Sequence, residues 1–90
     1  MKLQTIIEDN FKSSLESADA EVPETLANDM ILLESGLDSL GFAILVTTLE
    51  DELGFDPFTL MEEPFYPRSY GEFVGIYEKF ASHAKDGITA

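Results

Sequence analysis

The sequence predicts an all-α domain, a bundle of three longer helices plus one short helix, with a long loop between helices one and two. Three stretches carry apolar residues at helical spacing, and the one stretch with strand character has nothing to pair with. That stretch, residues 42–48 (FAILVTT), is rich in β-branched side chains, but a lone strand is not stable. Ninety residues with 44% apolar content suffice for a single domain, burying only about 60 to 65% of the unfolded surface. The expected domain covers residues 1–84, and residues 85–90 (KDGITA) read as a frayed tail.

Leu3, Ile6, Ile7, Phe11 and Leu15 recur at helical spacing with Glu8, Asp9, Lys12 and Ser13 on other faces, so a first helix is expected over residues 2 to about 17. The connection from Ala18 to Asp38 contains Pro23 and is long. Its apolar residues, Val22, Leu26, Met30, Ile31, Leu32, Leu33 and Leu37, are expected to staple it across the helices. From Ser39 to Leu53 the stripe Leu40, Ala43, Val46, Leu49 and Leu53 predicts the second helix and its core face. Phe42, Ile44, Leu45 and Thr48 cannot all be buried as well, which leaves apolar surface near Ser39. Gly54 suits a C-cap and Pro57 disfavours helix at Asp56. Residues 58–63 (FTLMEE) give the short helix, stopped by Pro64. Ser69 caps the last helix, in which Tyr70, Phe73, Val74, Tyr77, Phe80 and Ala81 keep helical spacing up to about Ala84.

The centre of the chain is Gly36-Leu37-Asp38-Ser39-Leu40. Gly36 reaches backbone angles closed to other residues, and Asp38 can accept the orphan N–H groups of the following turn. Ser39 then takes the first helical position with its hydroxyl exposed. Because a helix N-terminus carries about half a positive charge and unpaired donors, a phosphodiester attached to Ser39 is favoured there.

GLDSL preceded by Leu32 and Leu33 in DMILLESGLDSL, and followed by an apolar helix in a short acidic chain, resembles the attachment site of the acyl carrier protein family. The resemblance covers most of the chain and is weakest in roughly the first twenty residues and the last six. It implies that Ser39 receives 4′-phosphopantetheine from coenzyme A, with Asp38 and Leu40 presenting it. The arm's thiol then carries acyl groups as thioesters, as in fatty acid or polyketide biosynthesis; an aminoacyl or peptidyl cargo is the alternative within the family. The implied partners are a phosphopantetheinyl transferase, an acyl- or aminoacyl-activating ligase or acyltransferase, and downstream synthesis enzymes. They are expected to dock on Leu40, Gly41, Phe42, Ile44, Glu50 and Asp51. Many family members carry acids two and five positions after the serine, where this chain has Gly41 and Ile44. Partner contact near Ser39 is therefore expected to be apolar, with the acids displaced to Glu50, Asp51 and Glu52. The segment from Gly54 to Arg68 is slightly longer than is usual in the family.

The formal net charge of −13 is uneven. Lys2, Lys12, Arg68, Lys79 and Lys85 are the only bases, and residues 13–67 hold 13 acids and none of them. Such a field repels nucleic acid and anionic membranes and steers basic protein surfaces. An unmodified acidic adaptor for a basic partner is therefore the reading that competes with a carrier. An enzyme is not expected: the chain has no cysteine and a single histidine, His83, far from Ser39 and read as a surface residue. The acids match no calcium loop, so no metal site is expected. No apolar run approaches the roughly 20 residues needed to cross a bilayer, and residues 1–10 lack a secretory signal pattern. A cytoplasmic monomer is expected.

Overall fold

In the computed structural model, which describes residues 1–89, the element order is α1 (Leu3–Ser17), a 3₁₀ turn (Leu32–Glu34), α2 (Ser39–Leu53), α3 (Pro57–Leu60), α4 (Tyr70–Lys79) and a second 3₁₀ turn (Ala81–His83). Three longer helices and one short one make an all-α bundle, and isolated bridges are the only β pairing among the described residues. α1 buries Leu3, Ile6, Ile7, Phe11 and Leu15, the stripe its spacing predicts. α4 buries Tyr70, Phe73, Val74, Ile76 and Tyr77. Edge-on aromatic contacts bind these faces together. Phe11 meets Tyr70 at 5.3 Å and Phe73 at 6.1 Å between ring centroids, and Phe42 of α2 meets Phe73 at 5.4 Å.

The buried face of α2 is the expected one at Val46, Leu49 and Leu53 but not at Leu40 and Ala43. Leu45, Leu49 and Leu53 are buried, with Phe42 and Val46 packed against them, whereas Leu40 and Ala43 are exposed. Helix geometry explains the correction. At about 100° per residue, repeated steps of three drift backwards, so Leu40 and Leu49 lie about 180° apart. The set 42, 45, 46, 49 and 53 mixes steps of three and four and stays on one side.

α4 stops at Lys79, short of the expected Ala84. The Phe80 N–H turns back to Tyr77 O at 3.2 Å and the chain tightens into the 3₁₀ turn. In the long connection Leu26, Leu32 and Leu37 do bury themselves, but Ile31 and Leu33 stay exposed. Pairing between this connection and the start of α4 fixes its path. The N–H groups of Leu32, Tyr70 and Gly71 donate to the carbonyls of Arg68, Met30 and Asn28, each at 2.9 Å, and Ile31 and Ser69 form an antiparallel bridge.

The tail is also not frayed over residues 85–89, because it satisfies groups that helix ends leave open. The Leu3 N–H at the start of α1 donates to Thr89 O at 2.7 Å. At the end of α2, the Lys85 N–H donates to Leu53 O at 2.8 Å and Lys85 Nζ to Asp51 O at 2.7 Å. Lys2 and Thr89 form a parallel bridge, and Ile88 packs against the core. The expectation for residue 90 lies outside the described residues.

Candidate functional site

Three short-range features set up the start of α2. Gly36 lies at φ 101°, where a Cβ would come 2.6 Å from Ala20 Cβ, so only glycine makes this turn. Asp38 is extended, and its Oδ1 accepts the Gly41 N–H at 2.7 Å, the side-chain cap expected from the sequence. Ser39 follows as the first helical residue and is exposed. A Cβ on Gly41 would sit 3.1 Å from Leu37 Cδ1 and 3.2 Å from Asp38 Oδ1. The missing side chain at 41 therefore leaves room for the cap.

Two hollows flank Ser39. One, of about 590 Å³, is lined by Ser39 with Leu33, Leu37, Phe42, Tyr66, Pro67 and Arg68 among others. It shares Phe42, Tyr66 and Pro67 with a neighbouring hollow of about 310 Å³ that runs along Ala43 and Val46 to Phe65. Ala43 is thus exposed in a surface groove, whereas Val46 both lines that groove and packs against the core. On the other side a hollow of about 360 Å³ between α1 and α2 is lined by serines of α1 and by Asp38, Leu40, Ile44 and Thr48. A further hollow of about 710 Å³, lined by residues 60–65 with Ile76, Lys79 and Phe80, lies away from Ser39.

The expected docking residues divide between two faces. Leu40 and Ile44 are 70% and 57% exposed and share the outer face with Asp51, since steps of four and seven nearly restore the helical angle. Thr47 and Thr48 lie between them, their hydroxyls donating back to Ala43 O and Ile44 O at 3.0 and 2.9 Å. Phe42 is a correction: it is half-buried against Phe58 and Phe73 and borders the groove instead of the outer face. Glu50 is exposed but rotated about 80° from Leu40. Glu52 is drawn into the α1 contact by Asn10 Nδ2 at 2.9 Å.

The sequence reading missed Arg68, Tyr66 and Pro67 beside Ser39. Their proximity comes from the pairing of residues 28–32 with 68–71, which leaves no periodic trace. The available signal was that Arg68 is the sole base between residues 13 and 78. His83 is exposed, its ring centroid 6.4 Å from that of Phe55 and 6.2 Å from that of Phe80. Among the described residues no three of His, Cys, Asp and Glu gather as metal ligands, and no helix is long and apolar enough to cross a membrane. Compared with known proteins, the chain matches no family model, no curated protein and no solved structure at a significant level.

Proposed function

We propose that this chain is an acyl carrier protein whose Ser39 Oγ bears a 4′-phosphopantetheine arm. The single observation that carries the reading is the exposed Ser39 at the first position of α2, behind an Asp38 carboxylate already committed to the Gly41 N–H. The residues present fit the group. Ser39 offers an accessible hydroxyl, the glycine at 41 keeps the turn open, and an apolar hollow lies alongside. When bound, the arm supplies a thiol that holds the acyl group as a thioester.

The chain's own residues have modest tasks in this reading. Asp38 fixes the start of α2 and hence the direction of Ser39. The helix N-terminus favours the negative charge of a phosphodiester by about 0.3 to 1 kcal/mol at an exposed site. Leu40, Ile44 and Asp51 give partner enzymes an apolar patch with a charge farther along the same face. The protein acts as a tether, not as an enzyme. Its partners are a phosphopantetheinyl transferase, the ligase or acyltransferase that charges the thiol, and the enzymes that use the thioester.

Incubation with coenzyme A, Mg²⁺ and a broad-specificity transferase is expected to add one phosphopantetheinyl mass, and Ser39→Ala to abolish the addition. Intact mass and peptide mapping check both. Addition at Ser35 or Ser69 rejects Ser39 as the attachment point and with it the reading, and no addition where other carriers are modified rejects it in favour of an unmodified acidic adaptor.

A further inference from the structure

Arg68 stands out on charge, placement and lack of other engagement. It is the only base between residues 13 and 78, in a chain of net charge −13, and it lines the same hollow as Ser39. Its backbone is held from both sides: its carbonyl accepts the Leu32 N–H at 2.9 Å and its N–H donates to Glu72 Oε1 at 3.3 Å. Its exposed guanidinium forms no ion pair and no hydrogen bond among the described residues, where Lys12–Glu8 is the one ion pair. The other charged group in the lining, Asp38, is occupied by the Gly41 N–H. A clamped backbone thus holds Arg68, its guanidinium unpaired among the described residues, in the lining of the hollow beside the candidate modification site.

The rest of that lining is apolar, with a buried floor at Leu32 and Leu37 and an open rim at Leu33 and Tyr66. Leu33 is 86% and Tyr66 83% exposed, and Leu37 and Pro67 complete the wall between them. A single cation beside an apolar trough complements a ligand with one negative charge followed by an apolar stretch. A phosphopantetheine arm on Ser39 begins with one such charge and a gem-dimethyl carbon ahead of its hydroxyl and two amides, and it is covalently within reach. A guanidinium is suited to a phosphate because its planar donors engage two oxygens at once.

We propose that Arg68 is a positioning residue for the arm on Ser39, its guanidinium pairing with the phosphodiester so that the apolar part of the arm lies along Leu33, Leu37, Tyr66 and Pro67. The inference rests on the carrier reading and deepens it. The pair is exposed, so its contribution is that of a surface ion pair, and losing it lowers the docked population of the arm about two- to fivefold.

The test uses ¹⁵N-labelled full chain, wild type, Arg68→Lys and Arg68→Gln, with NMR spectra before and after loading from coenzyme A. Matching spectra of the unloaded variants away from residue 68 confirm that each is folded. Loading wild type is expected to shift the Arg68 Nε–H signal and the amides of Leu33 and Tyr66, with those shifts shrinking at high salt. In Arg68→Gln the shifts at Ser39 to Gly41 persist while those at Leu33 and Tyr66 fall two- to fivefold; Arg68→Lys lies between. Loaded wild type with Arg68 and Tyr66 signals unmoved, or a Gln variant identical to wild type at Leu33 and Tyr66, overturns this inference and leaves the carrier reading standing. Failure to load at all overturns both.

Discussion

At the scale of single residues, the features legible in the sequence are those made by near neighbours. The Asp38 cap and the turn at Gly36 follow from residues within three positions, and the structure has both. Tyr77 was legible only as an apolar position. Its ring is fully buried among Phe55, Phe58 and Phe73, and its hydroxyl finds no protein partner among the described residues. Burial raises its pKa, with Asp56 and then Glu50 adding to the shift; burial, then Glu8, pushes Tyr70 up to about 12. Both groups thus titrate above their ordinary value of 10.0 in the folded chain. The stability this confers is fully present below that pH and is lost as pH rises through the folded values. The melting temperature is therefore expected to fall above about pH 10, and less steeply in Tyr77→Phe. At neutral pH the same variant should gain about 1 kcal/mol, because a buried unsatisfied hydroxyl costs about 1 to 3 kcal/mol. Thermal unfolding at pH 7 and across pH 9 to 12 checks both, and a variant destabilised at pH 7 would mean that the hydroxyl is satisfied.

At the scale of elements, α1 and α2 lie where periodicity and capping signals put them, because those signals are local. Rotation of α2 about its axis was not legible. Its apolar residues nearly encircle it, and only packing against α1 and α4 selects the Leu45, Leu49 and Leu53 side. That rotation decides what a partner meets. Ile44 lies about 7.5 Å along the axis from Ser39 and Asp51 about 18 Å, on one outer face. Burying an isoleucine contributes about 1.5 to 3 kcal/mol, whereas an exposed charge pair is worth about 0.2 to 1 kcal/mol and is screened by salt. On the proposed carrier reading, Ile44→Ala is expected to weaken engagement of the enzyme that charges the arm about tenfold, more than Asp51→Asn or Glu50→Gln, which should act mainly on association rate. Charging kinetics of variants confirmed folded by circular dichroism measure this; if Glu50→Gln proves the most damaging, recognition is electrostatic.

At the scale of the whole molecule, the charge imbalance was fully legible, since it is a property of composition, whereas contacts between distant residues were not. Thirteen acids in residues 13–67 face no base within that stretch. Their repulsion opposes compaction, so added salt is expected to raise the melting temperature at pH 7. Each 1 kcal/mol recovered appears as a shift of about 4 to 8 °C, and calorimetry from 10 to 500 mM NaCl reads it. A melting temperature that falls with salt would show that attractive pairs dominate. The same distance in sequence hid the tail, whose carbonyl at Thr89 and N–H at Lys85 reach α1 and α2 across 86 and 32 positions of sequence. This clasp has a mechanical consequence. Residues 1–3 and 89 run parallel, joined by the Leu3 N–H to Thr89 O and the Thr89 N–H to Met1 O at 2.9 Å. Tension applied through the two ends pulls these segments past one another, so both bonds bear the load together and do not open one by one. Once they slip, the first N–H of α1 loses its acceptor and the load passes to Lys85, whose N–H and Nζ still hold the end of α2, so the closure yields in two steps ahead of the core.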